Sequence, residues 1–71
     1  MLRDTEGRAH LIRGSHITKT VVLRTGPGKK FPRIMRLSEG ETISVDYSTN
    51  NGWSRIFTSN GVRAWVPSDS I

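Results

Sequence analysis

Cysteine is absent from this 71-residue chain. That excludes a disulfide framework and any zinc site built on thiolates. It leaves the redox compartment open, because a cysteine-free chain works in either. No apolar run exceeds three residues, as in Val21-Val22-Leu23. A membrane-crossing helix needs roughly 20, so no membrane insertion is expected. Amphipathic helical periodicity is not sustained anywhere, and there is no internal repeat. The opening residues Met1-Leu2-Arg3-Asp4-Thr5-Glu6-Gly7 lack the apolar stretch of a secretory leader. The expected location is therefore the cytoplasm, or the cell envelope if the chain is cut from a longer exported protein.

The residue patterns of common catalytic sites are missing as well. The acids are scattered, and Glu39 and Glu41 merely flank Gly40 in a turn. His10 and His16 lie six residues apart with no third ligand type nearby. No serine sits in a nucleophile elbow. Gly26-Pro27-Gly28-Lys29-Lys30 lacks the spacing of a phosphate-binding loop and has no helix after it. The expectation is a non-enzymatic protein with no metal and no cofactor.

What is present is positive charge, unevenly spread. The formal net charge is +5. Residues 1–36 carry nine basic side chains against Asp4 and Glu6, whereas residues 37–71 carry Arg55 and Arg63 against four acids. From Arg24 to Arg36 there are five basic residues and no acid. Such a stretch attracts anionic partners (a nucleic acid, a cell-wall polyanion or an acidic protein) or serves only as a solvated loop that keeps a small protein soluble.

Local texture points to short strands. Residues 1–16 are polar and read as an arm or linker, with one short strand at 9–13. Residues 17–71 read as the folded domain. Ile17 to Arg24 is rich in β-branched residues and predicts a strand. Thr25-Gly26-Pro27-Gly28 breaks it. Arg33 to Leu37 predicts a second strand. Glu41 to Tyr47 alternates, with Ile43, Val45 and Tyr47 on one face, and predicts a half-buried antiparallel strand. Trp53–Thr58 and Val62–Val66 follow, and Pro67–Ser70 predicts a helical turn before an apolar Ile71. Five strands at this spacing predict an all-β chain, a small barrel or sandwich.

The last hairpin can be registered from its loop. Ser59-Asn60-Gly61 ends in the glycine that a bulged three-residue loop requires. Thr58 then opposes Val62, Ile56 opposes Ala64 and Ser54 opposes Val66. Ile56, Val62, Ala64 and Val66 form the core face. Trp53, Arg55, Phe57, Arg63 and Trp65 fall on the other, with Arg55 across from Trp65 in reach of a cation–π contact. These rings either grip a ligand or form a second small core under another part of the chain.

Four stretches in order resemble the bacterial SH3-type (SH3b) family. Val22-Leu23-Arg24-Thr25-Gly26-Pro27-Gly28 resembles its N-V-R-S-G-P-S opening. Ile34 to Val45 resembles V-I-G-x-L-x-x-G-x-x-V-x-V. Asn51-Gly52-Trp53-Ser54-Arg55-Ile56 resembles x-G-W-x-x-V, and Gly61 to Ser68 resembles G-x-x-G-W-V-x-x. Leu23 stands where the family favours Val, and Ala64 replaces the usual glycine. The resemblance implies a small SH3-like barrel of five to seven antiparallel strands with a 3-10 turn near the C-terminus. It further implies a non-catalytic module for peptidoglycan or another cell-wall polymer. No A-L-Y-D-Y-type stretch is present, which disfavours proline-rich ligands.

On that reading Trp53, Trp65, Tyr47 and Arg55 supply stacking surface, and Asn50 and Asn51 hydrogen-bond a glycan or peptide. Arg24, Lys29, Lys30 and Arg33 meet negative charge, although Arg24 is equally suited to satisfying carbonyls of the loop it starts. The alternatives are an intracellular adaptor or inhibitor that binds a protein partner, encoded for example by a phage or mobile element, and a basic barrel that binds nucleic acid.

Overall fold

The computed structural model describes residues 12–71. Among the described residues six antiparallel strands form one sheet: β1 Arg13–His16, β2 Val21–Arg24, β3 Arg33–Leu37, β4 Thr42–Ser48, β5 Trp53–Thr58 and β6 Arg63–Pro67. A 3-10 turn, Ser68–Ser70, follows β6. The strand order is β1-β4-β5-β6-β2-β3. The all-β expectation and the C-terminal turn therefore hold. The strand expected at 9–13 falls largely outside the described residues; the strand found is Arg13–His16, paired along its length with β4.

Alternation places the core. In β5 the inward residues are Ser54, Ile56 and Thr58, all buried, and the outward ones are half-buried. Ile56 faces Val45 of β4 on one side and Ala64 of β6 on the other. These join Ile17, Leu23, Leu37, Ile43 and Val66 in a single buried cluster, with Val21 and Ile71 packed against it. Leu23 and Leu37 come from one end of the strand order and Ile43 and Val45 from near the other. The sheet must therefore curl around one core, the small-barrel answer to burying one apolar face.

The hairpin register is the one derived from the loop. Ser54 opposes Val66, Ile56 opposes Ala64, and the Thr58 amide donates to the Val62 carbonyl at 2.9 Å. Gly61 has φ +84°, a conformation that a side chain resists.

Two expectations are corrected. The strand expected over Ile17–Arg24 begins only at Val21. Ile17 is fully buried, its amide donates to the Glu41 carbonyl, and its own carbonyl accepts from Gly40. The Thr18 amide donates to the Ser70 carbonyl. The backbone here ties the chain to the turn before β4 and to the 3-10 turn, so it cannot continue β2. The second correction is Tyr47, expected on the face of Ile43 and Val45. It is 51% exposed instead. The pairing runs Val45 to Ile56 and then Tyr47 to Arg55, so Asp46 is an extra residue on β4. Such a bulge re-aims every side chain after it.

Candidate functional site

The bulge at Asp46 builds the outer face. Tyr47 pairs with Arg55, Arg55 with Trp65, and Trp65 with Arg24. Four strands thus carry one transverse row, Tyr47-Arg55-Trp65-Arg24, on the side away from the core. The Tyr47 and Trp65 rings meet edge to face, with centroids 6.1 Å apart and planes at 89°, a preferred geometry for aromatic quadrupoles. The Arg55 guanidinium carbon lies 5.7 Å from the Tyr47 centroid and 5.9 Å from the Trp65 centroid. Asp46 holds that guanidinium along one edge: Nε donates to Oδ1 at 3.0 Å and Nη2 to Oδ2 at 3.1 Å. The hydrogen bonding to Asp46 is the main cause that raises the Arg55 pKa above its ordinary value, with burial opposing.

Trp53 is also on this face, two residues along β5, and half-buried. Its backbone is bracketed by Thr49, whose amide donates to the Trp53 carbonyl at 2.7 Å and whose hydroxyl accepts from the Trp53 amide. In the same loop the Thr49 hydroxyl donates to the Asn51 side-chain oxygen. Asn51 Nδ2 donates to the Pro27 carbonyl at 3.3 Å, bridging this loop to the long loop between β2 and β3. Asn50 is exposed beside it.

The loop between β2 and β3 has its own small anchor. Arg24 Nη1 donates to the carbonyls of Lys29 at 3.1 Å and Phe31 at 3.0 Å. These two bonds organise the loop that Arg24 starts. Both acceptors are neutral carbonyls, and among the described residues no carboxylate pairs with it. Lys29, Lys30 and Arg33 are exposed, and the Lys30 ammonium sits 5.6 Å from the Phe31 centroid. Gly26 is buried, and a Cβ added there would meet the Phe31 ring at 2.5 Å. Gly26→Ala is therefore expected to displace Phe31 and cost about 1–3 kcal/mol by overpacking, read as a lowered urea midpoint. Loss of the Phe31 and Arg24 contacts should appear as local NMR shift changes around residues 24–33.

Sequence reasoning singled out Tyr47, Arg55, Trp53 and Trp65, and the structure brings Tyr47, Arg55 and Trp65 into contact. It missed Asp46 and Phe31. Asp46 reads as an ordinary solvent-facing position of an alternating strand, and nothing local marks it as a bulge. A groove of about 270 Å³ lined by Arg13, Gly14, Ser15, Val45 and Ile71 contains none of the residues singled out.

The family model for the bacterial SH3 domain matches residues 19–71. The chain belongs to the bacterial SH3 domain family. Members of this family are generally non-catalytic binding modules. No curated protein and no solved structure matches the chain. The match starts after β1, yet β1 pairs with β4 through all four of its residues, so the sheet of this SH3 domain extends beyond the matched segment. At the position where the family motif has glycine, this SH3 domain carries Ala64, buried opposite Ile56, and its methyl group serves the core. Among the described residues no helix is long and apolar enough to cross a membrane, and no three His, Asp or Glu side chains gather as a metal site.

Proposed function

We propose that this bacterial SH3 domain is a non-catalytic module that binds a cell-wall polymer, peptidoglycan foremost, through the outer face. One observation carries the reading: the core is complete without Tyr47, Arg55 and Trp65, which stand together on the solvent side in contact with one another. Sugar rings present flat C–H faces, and dispersion against aromatic rings and a planar guanidinium suits them. Trp53 extends the stacking surface. Asn50 and Asn51 offer amide donors and acceptors for hydroxyl and peptide groups. Lys29, Lys30 and Arg33 supply positive charge for the acidic groups of a wall polymer.

Sedimentation of the purified chain with intact bacterial cell walls tests this, at low and at moderate salt. Binding that survives moderate salt is the expected result. No binding, or binding lost with salt as for a bare polyanion contact, overturns it. In the second case the salt slope against a nucleic acid decides whether the basic half binds that polymer instead.

A further inference from the structure

Asp46 and Tyr47 are consecutive, yet both serve the outer face: Asp46 bonds Arg55, and Tyr47 lies against it. A regular strand sends neighbours to opposite faces; the bulge between Val45 and Tyr47 makes the arrangement possible. Its result is a guanidinium fixed in direction. Nε and Nη2 are taken by Asp46, the rings of Tyr47 and Trp65 stand nearby, and among the described residues Nη1 has no acceptor. The Arg55 side chain keeps 28% of its exposure, against 10% for Asp46, so the carboxylate is the covered partner and the guanidinium the more open one.

Resting on the wall-polymer reading above, we propose that Asp46 is a positioning residue, that Arg55 reads a carboxylate of the ligand through Nη1, and that the module thereby prefers wall material with free stem-peptide carboxylates over the amidated form. Asp46 neutralises much of the long-range pull of Arg55, so an anion gains little at a distance and gains at the aligned donor. The charge of Arg24, next to Trp65 in the row and bonded to neutral carbonyls, adds attraction from the other side. A positioned N–H discriminates an ionised oxygen from an amide because charge-assisted hydrogen bonds are stronger and an amide nitrogen cannot accept.

The test is calorimetric titration with two soluble probes, a disaccharide–peptide fragment with free stem carboxylates and the same fragment with those carboxylates amidated. The wild type is expected to prefer the first roughly tenfold, the size of one charge-assisted hydrogen bond. Arg55→Lys keeps the charge but loses the planar fork, so it should lose the preference while still binding both. Asp46→Asn should also lose the preference while still binding both fragments, whereas a merely structural role for Asp46 would weaken both alike. Its stronger binding to any polyanion at low salt follows from the lost negative charge alone. Thermal melts identify a variant that fails to fold, in which case the wild-type comparison and the other variant decide. Equal wild-type affinity for the two fragments overturns the carboxylate assignment and leaves wall binding standing. An Arg55→Lys variant that keeps the full preference overturns it too. Sedimentation with walls but no binding of either fragment overturns it as well, and failure to sediment with walls removes the wall-polymer reading and this inference together.

Discussion

Trp65→Ala should abolish sedimentation with cell walls while leaving a folded barrel. Trp65 is half-buried, paired with Arg55 on one side and Arg24 on the other, and it packs edge-on against Tyr47. Removing a central aromatic anchor costs at least about 2 kcal/mol of binding, roughly 30-fold in affinity. A fully buried tryptophan would cost about 3–5 kcal/mol of stability on truncation. This one faces away from the core, so the expected stability loss is about 1–2 kcal/mol, most of it the aromatic pair and partial burial. Tyr47→Ala is the control, since a side chain 51% exposed should change stability by only about 0.5 kcal/mol and still weaken binding. Thermal melts and wall sedimentation on both variants separate the effects. Unchanged binding by a well-folded Trp65→Ala removes the ring from the site, and a stability loss above the expected range makes it a core residue.

Ile56→Ala should have the opposite signature and the largest effect on folding. Ile56 is fully buried in the middle of the sheet, between Val45 and Ala64. Deleting its buried carbons and leaving a cavity costs about 2–5 kcal/mol. A domain of this length has only roughly 4–10 kcal/mol to lose. The variant is therefore expected to have a urea midpoint reduced by about half, or to be unfolded at 37 °C. Ile34→Ala, on an edge strand and 42% exposed, should shift the midpoint little. If the two substitutions cost the same, the core assignment along β5 is wrong.

The last hairpin was legible because its information is local. Loop length and Gly61 set the register, and period-2 alternation then sorts Ile56, Ala64 and Val66 from Trp53, Arg55 and Trp65. The family motifs were legible for the same reason, being turn glycines and tryptophans at set spacings. The β-branched texture places Ile17 in a strand because it reports strand propensity and not which backbone group a residue will bond. Its partners, Gly40 and Glu41, are more than twenty positions away in the chain. Arg24 showed two roles in the sequence, and only the folded loop, with the Lys29 and Phe31 carbonyls turned toward Nη1, displays the loop-organising one.

Composition, turn chemistry and alternation by themselves determined an all-β small domain with its aliphatic residues on one face and its tryptophans on the other. Tertiary structure alone decided that Tyr47 joins the tryptophan side. That choice depends on a bulge at Asp46, and the extra residue is defined only against the strand it pairs with. A strand read alone alternates without interruption; the Val45–Ile56 and Tyr47–Arg55 pairings and the Asp46–Arg55 contact exist only once β4 lies beside β5.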